Sequence, residues 1–295
     1  MMRTLIQYAV IMLIISCMPI IGWSLSLKGI YITQSTGENG SKLQNLIHQS
    51  KKVGINTFII DLNNPSITLY HNVQKVRENN IRYIARIVVF PGGATKDQIF
   101  SIRYLRKIDD LIKTAKRYGA QEIQLDYIRY RSSQSRSPQN AKDIYQVIKW
   151  FKEKGSIGDT PLQIDIFGEV SFGESPYIGQ NIKLFADLID AACPMLYPSH
   201  FEPYLYHATR PYETVSKALN ALKGQFKQSI PFKLYPFIEI YNYRYPLSRE
   251  AKHAYIRAQI RAAEDAKADG WFVWNAQNNY DNLFEVLRKH ILEPL

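Results

Sequence analysis

The chain has 295 residues, and its 37 Lys and Arg outweigh 26 Asp and Glu to give a formal charge of +11. That length suits two average domains or one α/β barrel, and 46% apolar residues are ample for a single large core. The charge favours anionic surroundings such as wall polymers, lipid headgroups or nucleic acid, but no zinc-finger, helix-turn-helix or RNA-binding signature accompanies it, so nucleic acid is set aside.

In chain order, Arg3 precedes an apolar run from Leu5 to Ile21, and Gly22-Trp23-Ser24 offers small residues at signal-peptidase spacing. Residues 1–26 therefore read as a secretory signal peptide or an N-terminal membrane anchor. The run is marginal for a full span, which needs about 20 residues. Ile14-Ile15-Ser16-Cys17 resembles a lipobox, although Met18-Pro19-Ile20-Ile21 follows it instead of a polar tether, and simple export is the preferred reading. The protein is then expected in the periplasm or outside the cell, touching membrane only if that segment stays uncleaved or is lipidated. The other cysteine, Cys193, sits in an apolar strand and reads as a buried small residue, with no internal disulfide possible after processing.

Residues 27–295 read as one domain. Lys28–Thr33 is a first strand, followed by a turn over Ser35–Gly40 and a helix to Gly54 on Leu43, Leu46 and Ile47. Thr57–Leu62 is a second strand, Val73–Asn79 a short helix, and Arg82–Phe90 a third strand closed by Pro91-Gly92-Gly93. Ile99–Tyr118 is an amphipathic helix stopped by Gly119. The fourth strand runs into Gln124-Leu125-Asp126-Tyr127-Ile128-Arg129-Tyr130-Arg131, and Pro138 opens a helix to Lys154. Leu162–Phe167, Ala192–Tyr197, Phe232–Glu239 and Trp271–Trp274 are strands five to eight. Between them fall helices over Ile178–Ile189, Glu213–Leu222 and Ser248–Ala268, and an aromatic loop from Pro198 to Tyr212. Eight strands alternating with helices predict an α/β fold, a single-domain (β/α)8 TIM barrel. A doubly wound sheet is the runner-up, but no Gly-rich phosphate loop follows strand one.

In such a barrel all strand ends face one mouth. Alternation points Asp61, Arg86, Asp126, Asp165 and Glu239 toward the axis, with Glu169 close behind strand five. Crowded carboxylates around a guanidinium form either a neutral ion network or an acid–base pair, because like charges raise the pKa of one member. Glycosidic cleavage needs that division: one group protonates the leaving oxygen while another acts as base or nucleophile. Asp126, Glu239, Asp165 and Glu169 are the catalytic candidates. Asp61, Arg86, Arg129, Tyr197, His200, Trp274 and Asn275 are the candidates for binding a sugar, with Tyr31, Tyr127 and Phe201 as further rings. The six histidines lack paired ligand spacing, so neither metal nor cofactor is expected. No Gly-x-Ser-x-Gly elbow supports a serine hydrolase.

Leu125-Asp126-Tyr127-Ile128-Arg129-Tyr130, the run Cys193–Phe201, Ala258-Gln259-Ile260 and Gly270–Ala276 together resemble a bacterial family of exported proteins described as "putative glycoside hydrolases", TIM barrels distantly similar to chitinase-like hydrolases. The resemblance runs from about Leu27 to Lys289. It implies that Asp126 is the acid ending strand four, and that Tyr197 and Trp274 frame the cleaved sugar. Asp61-Leu62-Asn63-Asn64, Phe90-Pro91-Gly92 and Phe237-Ile238-Glu239 depart from the family's Asp-Val-Lys-Asp, Phe-Lys-Asp and Trp-x-Gln, removing charged groups at the mouth and adding one carboxylate. The expected activity is hydrolysis of O-glycosyl bonds in an envelope or extracellular polysaccharide or oligosaccharide, with the positive charge favouring an anionic one. The alternative is a non-catalytic carbohydrate-binding or envelope scaffold barrel.

Overall fold

Short runs, most of them rich in Ile, Leu, Val or Phe, form nine strands among the described residues, and nearly all of their positions are buried. They are β1 (Leu27–Ile32), β2 (Thr57–Asp61), β3 (Arg82–Val88), β4 (Glu122–Asp126), β5 (Leu162–Phe167), β6 (Ala191–Met195), β7 (Lys233–Leu234), β8 (Phe237–Glu239) and β9 (Gly270–Trp274). Every pairing is parallel. The order runs β5-β4-β3-β2-β1-β9-β8-β6-β7, and β5 also pairs with β6, which closes the sheet on itself. The result is the expected single-domain (β/α)8 barrel, seen in a computed structural model that describes residues 26–292. The expected signal or anchor, and Cys17 with it, fall outside the described residues. Among those described, no helix is long and apolar enough to cross a membrane.

The seventh barrel strand is expected as one run from Phe232 but forms as two pieces, β7 and β8, flanking Pro236. Proline has no N–H to give the ladder, so pairing stops there and resumes at Phe237. The helices that cover the sheet are α1 (Gln34–Glu38), α2 (Gly40–Lys52), α3 (Ile67–Glu78), α4 (Lys96–Phe100), α5 (Ile102–Arg117), α6 (Pro138–Glu153), α7 (Ile182–Phe185), α8 (Tyr204–Ala208), α9 (Pro211–Gly224), α10 (Arg249–Asp265) and α11 (Asp281–Leu292). The turn expected at Ser35–Gly40 is helical as α1. The helix expected from Ile99 is divided, because Ser101 caps α5 by accepting from the Tyr104 N–H. The Val73–Asn79 helix begins earlier, at an N-cap on Ser66. Only Ile182–Phe185 of the expected Ile178–Ile189 helix forms.

Packing falls into two shells. Ile30, Phe58, Ile87, Ile164 and Val273 point outward onto the helices, while Tyr31, Ile59, Ile84, Cys193, Phe237 and Phe272 fill the interior. Gly29 belongs to this arrangement: a Cβ there would lie 2.6 Å from the Phe272 ring, so the bulky ring and the missing side chain fill one layer together. Below the mouth the interior is polar. Gln124 donates to Gln163 Oε1 at 3.0 Å, Gln163 to Glu122 Oε2 at 2.5 Å, and Arg82 pairs with Glu122 at 2.8 Å. Cys193 is buried in the same column, and burial pushes its thiol well up, in keeping with a packing residue.

Candidate active site

Parallel register places Arg86 beside Asp61 on β2 and beside Gln124 on β4, one pleat below Asp126. Arg86 is therefore the hub of the barrel's upper layer. Its Nη1 donates to Asp61 and its Nη2 to Asp126, while its Nε lies 3.6 Å from an Asp165 oxygen. Tyr31 donates its hydroxyl to the remaining Asp61 oxygen at 2.5 Å, and the Arg86 guanidinium lies 5.2 Å from the Tyr31 ring. Three carboxylates thus share one cation in a layer where each side chain is nearly closed to water.

The three do not share it equally. Asp126 accepts at both oxygens, one from Arg86 and the other from the Tyr127 N–H at 2.5 Å. That short return contact is possible because Tyr127 turns out of the strand with φ at +52°. Asp165 is 3% exposed, and its Oδ1 has no hydrogen-bond partner. Burial first, and then the Asp126 charge, hold the Asp165 carboxyl well above the usual carboxylate range. The layer therefore contains two carboxylates with donors on both oxygens, Asp61 and Asp126, beside one that burial drives toward its neutral, proton-bearing form.

Above this floor is a cavity of about 880 Å³, within the size range of ligand sites. Asp126 and Asp165 open into it, as do Arg129, Glu169, Tyr197, His200 and Trp274. Trp274 forms one aromatic side, its ring centroid 6.2 Å from Tyr31 and 6.0 Å from Tyr197. Arg129 forms another, with its guanidinium 5.0 Å from the Tyr127 ring centroid and 4.9 Å from that of Phe167.

The roof comes from the loops after β6 and β8. Arg244 ties them together: its Nε donates to the Ser199 carbonyl at 2.8 Å, and its guanidinium lies 3.6 Å over the Tyr204 ring. Phe201 reaches across to Gly168, where a Cβ would come within 2.4 Å of its ring. His200 stands between Tyr197 and Tyr243, at centroid distances of 5.5 and 5.1 Å. Desolvation and the Arg244 charge keep its imidazole below the ordinary value.

Of the candidates from the sequence, Asp61, Arg86, Asp126 and Asp165 converge as alternation predicts. Arg129, Tyr197, His200 and Trp274 reach the same cavity, and Glu169 stands exposed at its rim, accepting from Ser175 at 2.6 Å. Two are placed elsewhere. Glu239 is fully buried and does not line the cavity. Its oxygens accept from the Ser199 N–H and hydroxyl, both at 2.8 Å, and from Tyr255 at 2.6 Å, so it anchors the roof loop to α10. Burial pushes its carboxyl up to about 7. Asn275 orders its own turn, donating to the Asn279 carbonyl and accepting from the Gln277 N–H. Sequence reasoning missed Glu202, His207, Lys217 and Tyr243 in the lining. The run Tyr241-Asn242-Tyr243-Arg244-Tyr245 was the available signal for the last of these. Among the described residues no group of three or more His, Cys, Asp or Glu side chains is arranged to hold a metal ion.

The fold and site together are a closed TIM barrel with paired carboxyls and aromatic walls at its strand ends. Residues 102–280 match the family model described as "Putative glycosyl hydrolase domain", and the chain belongs to that family. The matched span starts at α5 and carries β4 to β9; Asp61 and Arg86 lie before it. Among solved structures, the chain is similar to the spore cortex-lytic enzyme SleL of Bacillus cereus, with TM-score 0.62, 12% identity, and coverage of 88% of this chain and 73% of that one. It is also similar to a GH18 chitinase from Pseudoalteromonas aurantia, with TM-score 0.57, 9% identity and coverage of 91% and 100%. At such identities these likenesses concern the fold. No curated protein matched the sequence.

Proposed function

We propose that the protein is an exported glycoside hydrolase that cleaves an envelope or extracellular polysaccharide, with Asp165 as the general acid and Asp126 as its ionised partner. The observation that carries this reading is the inequality of the two carboxyls beside Arg86. Asp165 lines the cavity, has one buried oxygen without a hydrogen-bond partner, and has a carboxyl held toward the neutral form. Such a group can protonate a leaving glycosidic oxygen. Asp126, with donors on both oxygens, supplies negative charge opposite the oxocarbenium-like transition state. Trp274 and Tyr197 offer ring faces to the sugar. The acid role that the family resemblance gives to Asp126 passes in this reading to Asp165.

The first substrates to try follow from the neighbours' names, a cortex-lytic enzyme and a chitinase: cell-wall glycan and chitin oligosaccharides. Export rests on the N-terminal sequence. The test is reducing-end release by the wild type, by Asp165→Asn and by Asp126→Asn. Hydrolysis by the wild type that is lost in both variants, with glycan binding retained, is the expected result. Undiminished turnover in Asp165→Asn removes Asp165 from the chemistry.

One observation favours a second reading. Arg86 is bound to Asp126, a tie that makes its oxygens poorer nucleophiles and bases. A barrel that binds glycan without cutting it would keep such a tie. That protein would retain oligosaccharides on a column and release no reducing ends from them.

A further inference from the structure

Arg129 is 9% exposed and lines the cavity, and its guanidinium makes one hydrogen bond among the described residues, from Nη1 to the Tyr130 carbonyl at 2.9 Å. Its Nε is buried with no acceptor. It forms no ion pair among the described residues. Two aromatic rings flank it, which holds a cation in place without neutralising it. A guanidinium kept for structure alone spreads its five N–H groups over protein acceptors. Arg86 comes close to that arrangement, and Arg129 does not.

We propose that Arg129 receives an anionic substituent of the substrate, a carboxylate borne on a sugar, so that the cleaved polymer is an acidic glycan. This rests on the glycoside hydrolase reading above and names its substrate class. The planar fork of a guanidinium matches a carboxylate edge to edge, and removal of both from water strengthens the pair. The floor stays net negative, because Arg86 offsets only one of the carboxylates around it, so the anionic substituent belongs at the Arg129 wall, away from Asp61 and Asp126. Glu169 lies at the exposed rim, and Lys217 is also in the cavity lining. The formal charge of +11 adds a field that draws polyanions.

Two widespread sources of sugar carboxylate are uronic acids and lactyl ethers on amino sugars, and each has a neutral twin. The probes are a galacturonate hexasaccharide with its carboxyl-reduced form, and peptide-free bacterial wall glycan strands with the same strands methylamidated at the lactyl group. Binding is measured by titration calorimetry on full-length Asp165→Asn protein, where turnover is expected to stop, alone and combined with Arg129→Gln or Arg129→Lys. At least one acidic probe should bind about tenfold or more tightly than its twin, and that pair identifies the source. Arg129→Gln should abolish the difference by weakening the acidic member far more than its neutral twin, and Arg129→Lys should restore part of it. Equal affinity for both members of each pair overturns the proposal, as does an equal loss on both members in Arg129→Gln. If neutral chitin oligosaccharides are cut by the wild type while acidic probes gain nothing from Arg129, the hydrolase reading survives and the acidic-glycan proposal fails. If no glycan is bound or cut, the hydrolase reading itself fails.

Discussion

Arg86 and Arg129 are buried to almost the same degree in one mouth, 8% and 9% exposed, yet their surroundings are opposite. Arg86 is gripped by Asp61 and Asp126, with Asp165 nearby. Arg129 has rings on two sides and one carbonyl. A buried cation among anions is part of the framework, and removing it leaves uncompensated charge. A buried cation between aromatic faces contributes less to the framework and keeps its donors for something else. The same residue type is thus spent on architecture at one place and held ready at another.

The sharpest way to break this comparison is to remove each arginine in turn. Arg86→Met strands three carboxyls in a dry layer and should cost about 3–5 kcal/mol in urea unfolding. Arg129→Met should cost about 1 kcal/mol, because it leaves no buried counter-charge behind. Equal losses would erase the distinction.

Turnover comes next. Asp165→Asn should lower kcat by about 10²–10⁴ while unfolding like the wild type. The acid must carry its proton, so turnover should fall as pH rises through the Asp165 titration. Because the Asp126 charge helps to hold that titration high, Asp126→Asn should move it to lower pH, as followed by carboxyl NMR.

A third test contrasts the floor with the roof anchor. Burial raises the Glu239 carboxyl to about 7. Between the ordinary carboxylate range and about pH 7 the folded state keeps a proton that the unfolded chain has released. Stability should therefore fall as pH rises through that interval, by up to about 1.4 kcal/mol per pH unit from this one group. Glu239→Gln should remove that portion of the slope, and an unchanged slope would reject the assignment. The smallest effect is expected at the roof clasp. Arg244→Ala loses a cation–π contact and one hydrogen bond, and should raise KM a few-fold at a stability cost of about 1 kcal/mol.

Strand alternation makes the floor legible in the sequence: Asp61, Arg86, Asp126 and Asp165 lie on inward positions of four successive strands, and they meet. Alternation also assigned Glu239 to the mouth, and there it failed. Side chains at the end of a strand can be captured by the next loop, and Ser199 and Tyr255 do this. Neither residue is near Glu239 in sequence, so no local pattern marks them. The pairing of Arg129 was open in the sequence, with Asp126 three residues away as an obvious partner. The structure gives Asp126 to Arg86, from 40 residues earlier, a contact that only strand register creates. The roof was the least legible part, since its shape depends on loops from two strands meeting through Arg244 and Tyr204.

Tyr127 carries a consequence for anyone who would redesign this mouth. Its left-handed backbone aims its N–H at Asp126, and its ring lies against Arg129. One residue therefore serves both the acid floor and the cationic wall. Glycine at 127 would ease the backbone and free the wall of its ring, whereas a β-branched residue would strain the turn that holds Asp126. Under the proposed function, selectivity and chemistry are linked at this position, so a library that varies residue 127 to change the preferred sugar also selects on the pair Asp126 and Asp165.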